Sequence, residues 1–313
     1  MISVVIVSKG ERPDELKQCL TSLSMQTFKD FEVILVFPKK RSVEKLFELA
    51  KTDLHRVDLP VRLIHQDGEG ICNARNCGIK ASKGDIIAFT DDDSEPYADW
   101  LGKIFEKFSE DSKLDYLGGD FTLEPRNIWQ QWINNRYHLS EKDVQRGLCH
   151  GNNMAYRHNV LLKESFNENI TFGADESDLQ ERLHQQGFKG KNFDDILIKH
   201  GHRFSFASFT RMRWSYAQGK AFLHEKKGLE LFHWKDLLNI LLLTSIFYAL
   251  LTTFILPWLW TVPTFLFAFI ALHERKQGTN LILLLIDIYV EMLWTLSKMY
   301  YSLKLKLRRW IER

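Results

Sequence analysis

The first 121 residues switch repeatedly between the two periodicities of regular backbone, and this alternation constrains the fold more than any other feature. Ile2–Val7, Phe31–Phe37, Val61–His65 and Ile86–Phe89 are short runs with the length of strands, the first and the last of them of buried type. After the first of them, Pro13 suits an opening helical turn, and Leu16, Cys19, Leu20 and Leu23 recur at helical spacing on one face. After the third, Asp67-Gly68-Glu69-Gly70 marks a turn and a helix is expected through Lys80. Leu114–Phe121, which contains Gly118-Gly119-Asp120, is a further strand, and Ile196–Ile198 a short one. The pattern predicts an α/β layer on a mostly parallel sheet, with ligands taken outside the carboxyl ends of the strands.

The 313 residues carry 42 Lys and Arg against 40 Asp and Glu. A formal charge of +2 gives no field that calls for a nucleic-acid partner, so none is expected. Cys19, Cys72, Cys77 and Cys149 form no CxxC pair, which fits neither a disulfide framework nor a zinc site and predicts reduced, packing thiols. Met1 leads directly into an apolar run with no basic leader, the start of a first strand rather than of a signal peptide.

The stretch KGDIIAFTDDDSEP sets Asp91, Asp92 and Asp93 at the carboxyl end of the fourth strand. Adjacent carboxylates repel and raise one another's pKa unless a cation intervenes, and hard ions such as Mg²⁺ or Mn²⁺ prefer oxygen ligands. Such ions keep part of their shell for phosphates, so the position suggests a nucleotide or diphosphate ligand; the alternative is a solvated acidic turn. A second acidic group, Asp175-Glu176, lies in FGADESDLQERLHQQGF at the start of a helical pattern. There the helix dipole favours negative charge, and a carboxylate near a bound substrate has the chemistry of a general base. In KHGHRF, His200 or His202 is a candidate metal ligand or phosphate donor.

The C-terminal third changes character. Residues 206–236 interleave Arg211, Arg213, Lys220, Lys226 and Lys227 with aromatic side chains, as in a helix at a membrane surface or one gripping phosphates. Leu237–Leu272 is apolar and uncharged around Pro257, long enough for a transmembrane or re-entrant helical hairpin. Residues 273–313 read as an amphipathic interfacial helix, with a polar stripe of Asp287, Glu291, Thr295, Lys298 and Ser302 and a basic tail, KLKLRRWIER, suited to anionic headgroups. The charged flanks of the hairpin predict a membrane-associated protein whose first 205 residues face the cytoplasm.

In order, SVVIVSKGERPDELKQCLTSLSMQTFKDFEVILV, GICNARNCGIKASKGDIIAFTDDDSEPYADWL, GNNMAYR and GADESDLQERLHQQGF resemble the family 2 glycosyltransferases of the GT-A fold, over Ile2 to about Ala221. The resemblance implies a Rossmann-like domain of mostly parallel sheet with flanking helices, here followed by the α-helical membrane-associated region. It implies a nucleotide-sugar donor, a divalent metal, Mn²⁺ or Mg²⁺, and transfer with inversion. By position, Asp91 and Asp93 match the outer residues of the family's DxD motif, with Asp93 the metal ligand and Asp91 beside the donor's ribose or the metal. His200 matches a histidine closing the metal site. Arg75 and Asn76 match the "ARN" under the donor site, and Gly151, Asn152 and Asn153 the loop on the acceptor side. Glu176, or next Asp175, matches the acidic base, the family's order being reversed here. Arg213 is a further candidate for the donor phosphates.

Two departures fall on the donor's nucleoside. Strand two ends Val36-Phe37-Pro38-Lys39 without the usual acidic residue, and the first loop is Ser8-Lys9-Gly10-Glu11, which puts Glu11 at the base or ribose. The chain has Thr210-Arg211-Met212-Arg213-Trp214 where processive synthases carry QxxRW, so single-sugar transfer is expected, and the membrane-associated region points to a lipid-linked or other membrane-proximal glycan acceptor. The alternatives are a polyprenyl-phosphate sugar transferase or short-chain synthase of the same fold, and a degenerate GT-A domain serving as a binding module.

Overall fold

The computed structural model describes residues 1–39, 59–136, 149–170, 173–200, 205–226, 239–241, 244 and 281–311. Two compact units divide the chain, Met1–Pro125 with Asn134–Arg203, and Arg126–Ile133 with Phe204–Arg313.

The first unit is built on β1 (Ile2–Val7), α1 (Pro13–Ser24), β2 (Phe31–Phe37), β3 (Val61–His65), α2 (Gly70–Ala81), β4 (Ile86–Asp91), β5 (Ser94–Pro96) and α3 (Trp100–Glu110). After these come β6 (Tyr116–Thr122), β7 (Asn153–Arg157), α5 (His158–Lys163), α6 (Asp175–Gln185) and β8 (Gly190–His200); α4 (Ile128–Arg136) lies between β6 and β7 in the chain. The strands form one sheet in the order β3-β2-β1-β4-β7-β6-β8-β5. Its first four members are parallel, while β7 runs antiparallel to both β4 and β6.

Alternation along the strands sorts the side chains between two layers. Ile2, Val4, Ile6, Val33, Leu35, Ile86 and Ala88 join Leu16, Cys19, Leu20 and Leu23 of α1 and Trp100, Leu101 and Ile104 of α3 in one core. The intervening residues, Val5, Ile34, Ile87 and Phe89, are also buried, on the face where α2 packs. Because Phe89 and Asp91 share that second face, the first acidic side chain emerges beside α2.

Two sequence expectations are corrected. β4 runs two residues beyond Phe89, because Thr90 and Asp91 pair with Ile6 and Val7 of β1. The short strand at Ile196–Ile198 is part of an 11-residue strand, β8, whose polar first half pairs in parallel with Tyr116–Gly118. All four cysteines are free and buried, as their spacing suggested.

The second unit holds α7 (Phe206–Lys226) and α8 (Leu281–Ile311). Trp129, Trp132, Phe206, Phe209 and Tyr289 pack tilted or edge-on around their contact, with ring centroids 5.2 to 5.4 Å apart. Among the described residues no helix is long and apolar enough to cross a membrane. The hairpin expected over 237–272 falls outside the described residues except at 239–241 and 244, and His202 falls outside them as well.

Candidate active site

Asp91, Asp93 and His200 converge where β4 and β8 end. β5 begins one residue after Asp93 and pairs Ser94 with His200, which carries the histidine to the acidic turn. His200 Nε2 lies 3.4 Å from Asp93 Oδ1 and 3.7 Å from Asp91 Oδ2. Three ligand atoms, one from each residue, lie within 4.8 Å of one another. Two carboxylates and an imidazole at that separation fit a hard divalent ion, with room in its shell for anionic oxygens.

The electrostatics of this cluster are shared. Burial raises the Asp91 pKa, but the hydrogen bond and charge of His200, then Arg75 and Arg12, outweigh it and hold the carboxyl below its ordinary value. Burial works against a charged His200, and the carboxylates of Asp93 and Asp91 reverse this and raise its pKa.

Asp92 is not a spare middle residue. It is buried, accepts a hydrogen bond from Ser8 Oγ at 2.6 Å and pairs with the guanidinium of Arg12, which also pairs with Asp93. Burial, only partly offset by Arg12 and Ser8, pushes its carboxyl up to about 6. Arg12 was not singled out from the sequence. The signal for it was the parallel pairing of β1 with β4, which puts the loop after Val7 beside the loop after Asp91. Glu11, in the same loop, is exposed.

The second acidic pair is divided by a buried arginine. Gly173 and Ala174 both take left-handed backbone, with φ of 76° and 63°, and turn the chain into α6 so that Asp175 and Glu176 occupy its first turn. For alanine that conformation is strained, and helix formation beyond it compensates. Arg75 of α2 pairs with Asp175, the two side chains being only 5% and 4% exposed, and donates to Gly151 O at 3.1 Å. Its guanidinium also lies over the Phe166 ring, 5.2 Å from the centroid. Glu176 has no such ion pair among the described residues: burial first, then the neighbouring charge of Asp175, push its carboxyl up to about 8. The charge on Arg75 is felt by Asp175, Asp91 and Glu176 together, so this residue links the two acidic groups.

The other sequence candidates have mostly structural surroundings. Asn76 donates to Phe166 O at 2.9 Å and to Glu168 Oε1 at 2.8 Å, and so fixes the loop after α5 onto α2. Asn153 opens β7 with its amide committed to Asp120 O, Ile196 O and the Trp100 indole, at 2.8, 2.9 and 2.9 Å; it ties the sheet together and has no free group for an acceptor. Gly151 meets Arg75 through its carbonyl, and a methyl group there would lie 3.5 Å from Glu176 Oε2. Asn152 Oδ1 is buried and, among the described residues, has no hydrogen-bond partner. Arg213 belongs to the second unit, 5.2 Å from the centroid of the Trp132 ring.

A sheet of this order, with carboxylates gathered outside its strand ends, defines a GT-A-like α/β protein. Residues 3–170 match glycosyl transferase family 2, and the chain belongs to that family. Among curated relatives, the uncharacterized glycosyltransferase EpsJ of Bacillus subtilis is 32% identical over 121 residues, 39% of this chain and 34% of that protein. Glycosyltransferase AglE of Haloferax volcanii is 31% identical over 121 residues, 38% of each chain. The chain thus spans little more than a third of the length of these relatives. Among solved structures, the mannosyltransferase PcManGT from Pyrobaculum calidifontis, in complex with GDP-Man and Mn²⁺, has a TM-score of 0.60 at 15% identity, covering 96% of this chain and 86% of that one. That likeness is one of fold.

Proposed function

We propose that the protein is an inverting glycosyltransferase that moves a sugar from a nucleotide-diphosphate donor to an acceptor hydroxyl at a membrane. The observation that carries this reading is the division of labour in the acidic groups. Asp91, Asp93 and His200 offer a metal-binding set and Asp175 is paired with Arg75, while Glu176, raised to about 8 by burial and then by the charge of Asp175, has the proton affinity of a general base working near neutral pH.

A sugar hydroxyl is a weak nucleophile, so Glu176 takes its proton as the new glycosidic bond forms opposite the departing diphosphate. Asp93, Asp91 and His200 would hold Mn²⁺ or Mg²⁺, which supplies positive charge for the phosphate oxygens as they leave. Arg75 holds Asp175 in an ion pair, so that Glu176 is the carboxylate of the two left to the acceptor proton. The test is transfer or hydrolysis from a panel of nucleotide sugars with Mn²⁺ present. Metal-dependent release of nucleoside diphosphate is expected from at least one donor, and folded protein that turns over none would sink the proposal.

The membrane part of the reading is supported by the polarity of α8. Thr295, Ser297 and Lys298 are buried, and Leu285, Leu296, Met299 and Tyr300 are 39–49% exposed, the reverse of what water selects. Asp287 accepts from the Trp132 indole at 2.6 Å, and Ser297 donates to Trp214 O at 3.2 Å, so inward polar groups are used. An outward apolar stripe followed by Lys304, Lys306, Arg308 and Arg309 suits a helix lying in the plane of an anionic leaflet. On vesicles containing phosphatidylserine, nitroxides introduced by Leu296→Cys and Met299→Cys should collide more with oxygen than with a water-soluble nickel chelate, and one at Glu291→Cys the reverse. Equal nickel access at all three positions would exclude lipid from that face.

A further inference from the structure

We propose that Arg12 is a tethered counter-cation that occupies Asp93 until metal and donor arrive, and then turns to the donor's diphosphate. The inference rests on the donor and metal reading above. Its observations are the pairing of one guanidinium with both Asp92 and Asp93, and the contrast in burial between the partners. The carboxylates are 5% and 9% exposed, whereas the Arg12 side chain is 45% exposed and so has space to leave.

Three adjacent carboxylates at one strand end repel one another, and among the described residues this arginine is the fixed positive charge paired with both Asp92 and Asp93. Asp93 Oδ2 is engaged by Arg12 while Asp93 Oδ1 faces His200. A dication at Asp91, Asp93 and His200 therefore competes with the guanidinium for the same carboxylate, and like charges at that separation repel. Asp92 remains anchored in either state, because Ser8 Oγ donates to its Oδ2 while Arg12 uses Oδ1. Ser8 Oγ also accepts from Gly10 N at 3.1 Å, and Gly10 has a φ of 70° that favours glycine, so the loop's turn is fixed around Ser8 and Arg12 swings from beyond it. Once Asp93 is taken by the metal, a guanidinium at this position has lost one partner just where a diphosphate brings new oxygens. Its fork geometry suits them in pairs.

The arrangement makes opposite demands on the two ligands, which is what a test can read. In Arg12→Gln, Mn²⁺ alone, followed by the electron paramagnetic resonance signal of the free ion, should bind roughly 5- to 150-fold tighter than in the unaltered protein, the usual range of a coupling between sites. A nucleoside diphosphate titrated calorimetrically at saturating Mn²⁺ should bind at least about 10-fold weaker, the loss of a charge-assisted pair. Arg12→Lys should fall between the two on both measures. Tighter metal binding cannot come from misfolding, so the first result is its own control. Unchanged or weaker Mn²⁺ binding in Arg12→Gln would overturn the proposal and leave Arg12 a structural tie. Tighter Mn²⁺ binding with unchanged diphosphate affinity would overturn the transfer of Arg12 to the donor. If the unaltered protein binds neither Mn²⁺ nor any nucleoside diphosphate, the failure belongs to the donor and metal reading itself.

Discussion

Glu176→Gln is expected to lower the rate of transfer by about 10²- to 10⁴-fold, the usual contribution of a positioned general base, while Mn²⁺ and nucleoside diphosphate still bind. The substitution keeps the shape of the side chain and removes only its ability to accept a proton. A second signature comes from pH. With burial and Asp175 holding the free carboxyl at about 8, kcat/KM should climb through the neutral range and level off above it, an acid limb far higher than an ordinary carboxylate gives. The stability effect has the opposite sense. Unfolded, Glu176 ionises near 4.5; folded, near 8; between those values the folded protein holds a proton that the unfolded chain has released. The stability associated with Glu176 is therefore present below about 4.5 and is lost as pH rises to about 8. Glu176→Gln should accordingly melt higher relative to the unaltered protein as pH rises through this window. Activity within threefold of the unaltered protein would show that Glu176 is not the base.

Arg75→Met should destabilise the protein by about 3–5 kcal/mol, the cost of leaving a buried charge without its partner. Asp175 is nearly fully buried against Arg75, and the carbonyl of Gly151 loses its donor in the same step. Replacing both members of the pair, Arg75→Met with Asp175→Leu, should recover part of that loss, since the uncompensated charge is then gone. Removing Arg75 also removes an influence that lowers the Glu176 pKa, so any residual activity of Arg75→Met should have its acid limb moved to still higher pH. Urea unfolding monitored by tryptophan fluorescence measures the first effect. A loss below about 1 kcal/mol would mean that water already reaches the pair and that it is worth no more than a surface ion pair.

Much of the sheet was legible because burial leaves a local trace. β1 and β2 have the bounds of their largely apolar runs, since a strand covered on both faces needs consecutive apolar residues; β3 also has its expected bounds, although at the sheet's edge it is only half-buried. β8 was legible only at its end. Its first half, Gly190-Lys191-Asn192-Phe193-Asp194-Asp195, is mostly polar and only half-buried at several positions, and it is a strand because β6 offers it hydrogen bonds. Asn153, placed by resemblance in a loop with Gly151 and Asn152, instead opens β7, where its three partners come from α3, β6 and β8. The polar stripe of α8 was visible as a period, but the direction it faces depended on what α7 and Trp132 offered it.

By itself the sequence determined the alternation of strands and helices, the three aspartates at a strand end, and a second acidic pair opening a helix. These follow from periodicity and turn chemistry, which act between near neighbours. Only the tertiary structure decided which carboxylate has which partner. Asp175 is matched to an arginine 100 residues away, and Asp93 to one 81 residues away. Among the described residues Glu176 has a neutralising partner neither in its own helix nor across the sheet, and so keeps the raised proton affinity. Coulomb energies and desolvation depend on distance and burial in space, and the order of residues along the chain fixes neither.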